Sequence, residues 1–250
     1  LMMRLVCLLL LLSLPAQAEE EIILGLSQNE IDITATFTGS EILLFGAIRR
    51  DAPVPDGNLG IIVTVAGPEV PVTVRRKERR FGIWVNVDDV KIAAAPSFYA
   101  VATSADLSKV LRPSEDLINR ITIPQVVRHV GTNVLDSQSF SRALMRIREE
   151  NNQYQRLEGA VAISRDTLFQ TRIQMPANLT EGFYVAKIFL TRDGNIVDEY
   201  ETSIPVKKVG LERWLYNLAH DNAFLYGLMS LAIAIAAGWG ASAVFSLFRR

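Results

Sequence analysis

From Ala223 to Phe248 the chain runs 26 residues without a charged side chain, bounded by Asp221 before and Arg249-Arg250 after. A helix rises 1.5 Å per residue, so this run covers roughly 39 Å and exceeds the ~30 Å hydrocarbon layer of a bilayer. The run predicts one transmembrane helix over 223–248, with residues 249–250 as a cytoplasmic tail by the positive-inside rule. Tyr226 falls near one interface, and Trp214 and Tyr216 just precede the span. Ala232, Ala236 and Gly240 recur at four-residue steps, as do Ala234, Gly238 and Ser242. Small residues so spaced let helices approach closely, so Ala232, Ala236 and Gly240 are the candidate helix-packing face. The expected partner is a second copy or a multi-span membrane protein. A two-residue tail holds no signalling domain, so any cytoplasmic effect is expected to run through that partner.

The N-terminus carries a second apolar run. Arg4, the run at 5–12 and Ala16-Gln17-Ala18 are the parts of a secretory signal peptide, predicted over 1–18 with cleavage after Ala18. Eight apolar residues are too few to span a bilayer. Cys7, the chain's one cysteine, lies in that run. The mature chain is then cysteine-free, which excludes a disulfide framework and a cysteine metal cluster. Together the two ends predict a single-pass protein of the inner membrane, its body periplasmic and its C-terminus cytoplasmic.

The body, 19–222, carries 23 basic and 27 acidic residues. That balance argues against a nucleic-acid partner. Its first part, 19–104, reads as a β-sandwich region. Residues 31–37 alternate apolar and polar, and further runs lie at 41–48, 59–66, 70–76, 80–87 and 97–103, separated by Gly, Pro and Asp turns. A helical segment follows over 105–158. Helices are predicted at 106–111 and 114–121, with Pro113 as a breaker between them, and at 136–157. In the last, Phe140, Leu144, Ile147, Asn151 and Tyr154 share a face, and Asp136, Ser137 or Ser139 caps the start. Strands return over 159–208, at 167–175, 182–191 and 195–206, the last two joined by an Asp193-Gly194 turn. Residues 176–185 resemble the proline–loop–glycine–tyrosine edge of immunoglobulin-like sandwiches. An amphipathic juxtamembrane segment, 209–222, leads to the span. The fold class is mainly β: immunoglobulin-like β-sandwich region(s), a helical middle segment and one C-terminal transmembrane helix. Whether the β regions build one sandwich or two stays open at this level.

The catalytic inventory is sparse. The body has His129 and His220, no cysteine nucleophile and no Gly-x-Ser-x-Gly elbow. Soft-metal ligands reduce to those histidines with Met145, Met175 and Met229. Asp198, Glu199 and Glu201 crowd one strand, but alternation divides them between two faces. Asp88-Asp89 and Asp193 with Asp198 remain as carboxylate pairs for calcium, without a calcium-loop pattern around them. Arg75, Arg76, Lys77, Arg79 and Arg80 place five cations in six residues, a candidate site for an anion or lipid headgroup; the plainer reading is a charged hairpin tip. No catalytic residue, metal site or cofactor is expected.

Several motifs in this order carry a family resemblance. They are F-x-G-x5-F-G-A at 37–47, Gly67-Pro68, RFGIWVN at 80–86, PSFYAVATS at 96–104, the GFYVAKIFLTRDGNIV hairpin and the C-terminal span. Together they resemble the alphaproteobacterial putative transmembrane protein family, over nearly the whole mature chain. The resemblance implies a single-pass membrane protein without assigned activity. Members often stand beside permeases of the sulfite exporter type, which implies an accessory role. It carries over no functional residues. The expected function is therefore non-enzymatic contact with another membrane protein. The alternatives are an anion-binding module centred on 75–80 and a carboxylate-dependent envelope enzyme.

Overall fold

A computed structural model describes residues 20–28, 30–34, 37–50, 53–127 and 137–248. The expected signal peptide, His129, the Asp136 cap and Arg249-Arg250 lie outside these residues. Two sheets form the body. The first has the order β1-β3-β10-β9, from β1 (Glu20–Leu26), β3 (Ser40–Arg50), β10 (Leu168–Met175) and β9 (Ala162–Ser164). The second runs β2-β12-β11-β4-β7-β8, from β2 (Ile31–Ile33), β12 (Asn195–Lys208), β11 (Gly182–Arg192), β4 (Leu59–Ala66), β7 (Tyr99–Thr103) and β8 (Tyr154–Leu157). Both sheets pair strands from the two β regions, β3 with β10 in the first and β4 with β11 in the second, so the two regions build one sandwich. Among the described residues of 31–37, the strand covers Ile31–Ile33.

Burial explains the strand sequences. In β10 every second residue is buried, leaving the outer face of the first sheet in solvent. Its inner residues Phe169, Ile173 and Met175 join Ile42, Leu44 and Ile48 against Ile61, Val63, Tyr184, Ile188 and Leu190 of the second sheet. The central strand β4 is different: six consecutive residues, Gly60 to Val65, are buried. Its other face, with Ile62, Val101 and Phe189, packs beneath a second apolar layer. That layer comes from a long hairpin, β5 (Glu69–Arg80) and β6 (Ile83–Pro96), and from helices. Val74, Val90 and Ile92 of the hairpin meet Leu111, Ile121, Phe140 and Leu144 there. A strand buried on both faces has no polar side to show, which is why 59–66 reads as a continuous β-branched run.

The helical segment departs from its expected form in two places. The helices are α1 (Leu107–Val110), α2 (Pro113–Asn119), α3 (Ile123–Val126) and α4 (Ser137–Glu150). Pro113 does not break a helix but begins α2, where its missing N–H costs nothing. Arg120 ends α2 at φ 53°, and the Asp116 carboxylate accepts from the amides of Ile121 and Thr122. α4 stops seven residues before the expected end at 157. Asn152 turns the chain at φ 56°, and Tyr154 then pairs in parallel with Tyr99 of β7. The Tyr154 hydroxyl donates to the Pro96 carbonyl at 2.9 Å. The aromatic periodicity ran on through Tyr154, but that ring serves the sheet edge rather than the helix.

Local chemistry fixes two corners as expected. Asp193 and Gly194 form the two-residue turn of β11–β12, both at positive φ (50° and 82°), as a type I′ turn requires. The Tyr184 hydroxyl donates to the Thr180 carbonyl at 3.0 Å, closing the tyrosine corner that residues 176–185 predict.

A buried ion cluster joins the sheets at one end. Glu20 of β1 accepts from Arg50 of β3 and from Arg192 of β11, the latter at 2.8 Å, and the three side chains are at most 10% exposed. Arg192 also donates to the carbonyls of Pro55 and Gly57. Burial acts to raise the Glu20 pKa, but the hydrogen bonds and charges of Arg50 and Arg192 outweigh it and hold the carboxyl below its usual range. Glu20→Ala leaves two arginines buried without their carboxylate and should cost about 3–5 kcal/mol in denaturant unfolding. The depressed pKa gives stability that is fully present above the ordinary carboxylate range and lost as pH falls through the lower folded value. Glu20→Gln should remove that part of the acid sensitivity. Equal pH profiles for wild type and Glu20→Gln would contradict the cluster's role.

Candidate functional site

Two features of this fold face outward with distinctive chemistry. The first is the β5–β6 hairpin, which carries all five of the candidate cations. The basic run is not its tip but the distal part of β5. The turn is Phe81-Gly82, both at positive φ (51° and 85°), with Arg80 opposite Ile83 and Arg79 opposite Trp84. Strand alternation divides the cations. Arg76 and Arg80 lie on the face continuing Val74, and Arg75, Lys77 and Arg79 on the other. The five therefore do not converge on one anion.

Their environments differ as well. Arg76 docks the hairpin to α4: it donates to the Ser139 hydroxyl at 2.8 Å, lies 4.6 Å over the Phe140 ring and stands 3.7 Å from Asp88. Arg80 pairs with Glu78 on its own strand at 3.4 Å. Arg75 and Arg76 instead share an open groove of about 430 Å³ with Arg142 and Arg146 of α4. Folding thus adds two arginines to the basic surface that the linear run could not reveal. Beyond the docked part, Phe81, Ile83 and Trp84 stand out in solvent. These aromatics lay in a motif noted only for resemblance.

The acidic candidates hold structure. Asp198 accepts from the Ile22 amide at 2.9 Å and so links β12 to β1. On the opposite face, Glu199 and Glu201 both grip Lys187, at 2.8 and 2.9 Å. Hydrogen bonding to Glu199, aided by Glu201, raises the Lys187 pKa against its partial burial. Asp193 accepts from the Asn58 amide at 2.9 Å. Among the described residues no group of three or more His, Cys, Asp or Glu side chains has the spacing to hold a metal.

The second outward feature is the C-terminal pair of helices, α5 (Leu211–Asp221) and α6 (Ala223–Phe248). In α5 the Tyr216 ring stacks on His220 at 4.0 Å, and the two also meet through His220 Nδ1 and the Tyr216 carbonyl. α6 is a single unbroken helix, apolar on all sides. Over Ala223–Ser242, a stretch long and apolar enough to cross a membrane, no residue is buried. Trp239, Phe224 and Ile235 are over 60% exposed there. An apolar rod left bare by its own protein requires another apolar medium, and 26 residues match a bilayer. Ala232, Ala236 and Gly240 lie along one side of that rod at four-residue steps.

The contrast between docked and free cations is testable by stability. Arg76→Ala loses the ring contact and the Ser139 bond and should destabilise by about 1 kcal/mol. Arg79→Ala should fall within about 0.5 kcal/mol of wild type. Thermal unfolding of the two variants checks this, and equal effects would contradict the assignment.

No curated protein matches the sequence. A family model described as "Putative transmembrane protein (Alph_Pro_TM)" matches residues 21–247, which takes in the sandwich, the hairpin and nearly all of α6. On that match and on the bare apolar helix that ends the fold, the chain belongs to the Alph_Pro_TM family of transmembrane proteins.

Proposed function

We propose that the protein is a contact protein of the membrane rather than an enzyme. It holds a β-sandwich body on the periplasmic side of the inner membrane, with its C-terminus in the cytoplasm. It acts as an accessory to another membrane protein, for which a transporter, such as a permease of the sulfite exporter type, is the leading class by family resemblance. The observation that carries this reading is the state of α6. The helix has no buried residue over Ala223–Ser242, and one side is lined by Ala232, Ala236 and Gly240. A helix needed only as an anchor has no use for a smooth side, whereas close helix packing does.

The test is isolation of the full chain in mild detergent, followed by cross-linking and native electrophoresis. The expected result is a larger membrane complex or a defined oligomer. Ala236→Leu and Gly240→Leu should weaken it while leaving the sandwich folded. A strictly monomeric species, unchanged by either substitution, would contradict the proposal.

A further inference from the structure

We propose that the tip of the β5–β6 hairpin is a second membrane contact, seated at the headgroup level of the anionic bilayer that holds α6. This rests on membrane anchorage by α6, not on the identity of any protein partner. Phe81 is fully exposed, and Ile83 and Trp84 are 64% and 68% exposed. Phe81 also sits at φ 51°, where a bulky side chain is disfavoured. Folding alone would select a glycine or asparagine at that turn position and polar residues beside it. The charge is as uneven as the hydrophobicity. Residues 75–86 hold five basic side chains and one acidic, whereas the rest of 19–222 holds 18 basic and 26 acidic. At the stem Arg75 and Arg76 stand opposite Asp89 and Asp88, whereas nearer the tip Lys77 and Arg79 stand opposite Asn86 and Trp84.

This chemistry selects the occupant. A second copy would bring the same positive tip against the first. A tip two strands wide is also small against the ~800 Å² per partner of a stable protein interface. An anionic bilayer accepts both components: tryptophan favours the headgroup region, and nearby lysines and arginines are drawn to the lipid charge. The hairpin is rooted suitably. Gly182 pairs with Val206 near the end of β12, and a Cβ on Gly182 would come within 3.0 Å of Pro68. The hairpin stem therefore leaves the sheet at the end from which the chain passes through Gly210 into α5 and α6. Tethering by α6 keeps the tip at a high effective concentration near that bilayer.

Trp84 reports on the contact directly. The chain has three tryptophans, and Trp214→Phe with Trp239→Phe leaves Trp84 alone. The full chain is placed one copy per nanodisc, in phosphatidylcholine or in a two-to-one mixture with phosphatidylglycerol. Brominated acyl chains serve as quencher. The expected result is a blue-shifted Trp84 emission, quenched about twofold or more in the anionic discs, relieved by high salt and much weaker in phosphatidylcholine alone. Arg79→Glu with Arg80→Glu should remove the difference, as should the milder Arg79→Gln with Arg80→Gln, with circular dichroism unchanged. Water-like, unquenched emission in anionic discs would overturn the proposal and leave an acidic protein as the occupant. Quenching indifferent to lipid charge would overturn it equally.

Discussion

The fold depends on a sheet that must be covered on both faces. Six consecutive buried residues in β4 admit no solvent on either side, and β7 beside it is buried throughout. One cover is the first sheet, completing the sandwich. The other is an added layer of short helices, α4 and the stem of the β5–β6 hairpin. Each buried aliphatic side chain contributes roughly 1.5–3 kcal/mol, so neither cover is dispensable to a domain of marginal net stability. The hairpin thus has two jobs along its length. Its stem is structure, and beyond Arg76 its side chains Phe81, Ile83 and Trp84 stand exposed.

Electrostatics completes what the apolar layers begin. The strands that flank the sandwich are held by long-range polar locks: Glu20 with Arg50 and Arg192, and Asp198 with the Ile22 amide. Both locks tie the first strand to elements about 170 residues away in sequence. Such pairs define which edges meet more than they add stability, because desolvation offsets much of the attraction. Asp198, a carboxylate that looks available for chemistry in a bare sequence, is occupied in one of these locks.

What the sequence makes legible follows the range of the forces involved. The strand at 59–66, the Asp193-Gly194 turn, the tyrosine corner and the long apolar helix are set by local patterns, and each has its expected place. β1 is not among the strands expected from local pattern, because its Glu20 is compensated by Arg50 and by Arg192, the latter 172 residues away. The end of α4 was misplaced because helical spacing continued through Tyr154, whose partner is a strand. The hairpin is longer than its apolar runs suggest, and its tip is Phe81-Gly82, not a usual turn pair, rather than the basic run. Arg142 and Arg146 join Arg75 and Arg76 only through packing of helix on hairpin. Surface chemistry is the least legible, since exposed side chains such as Phe81 and Trp84 follow no fixed local spacing.

In the proposed arrangement the sandwich lies on one side of a membrane and Arg250 on the other, joined by α6. The mature chain expected from the sequence has no cysteine, so single cysteines placed at Asp166, on an exposed turn, and at Arg250 report sidedness cleanly. Labelling of spheroplasts with a membrane-impermeant maleimide tests the claim most directly. The account predicts that Asp166→Cys reacts in intact spheroplasts and that Arg250→Cys reacts only after the membrane is opened. Reaction of both before opening, or the reverse pattern, would contradict it.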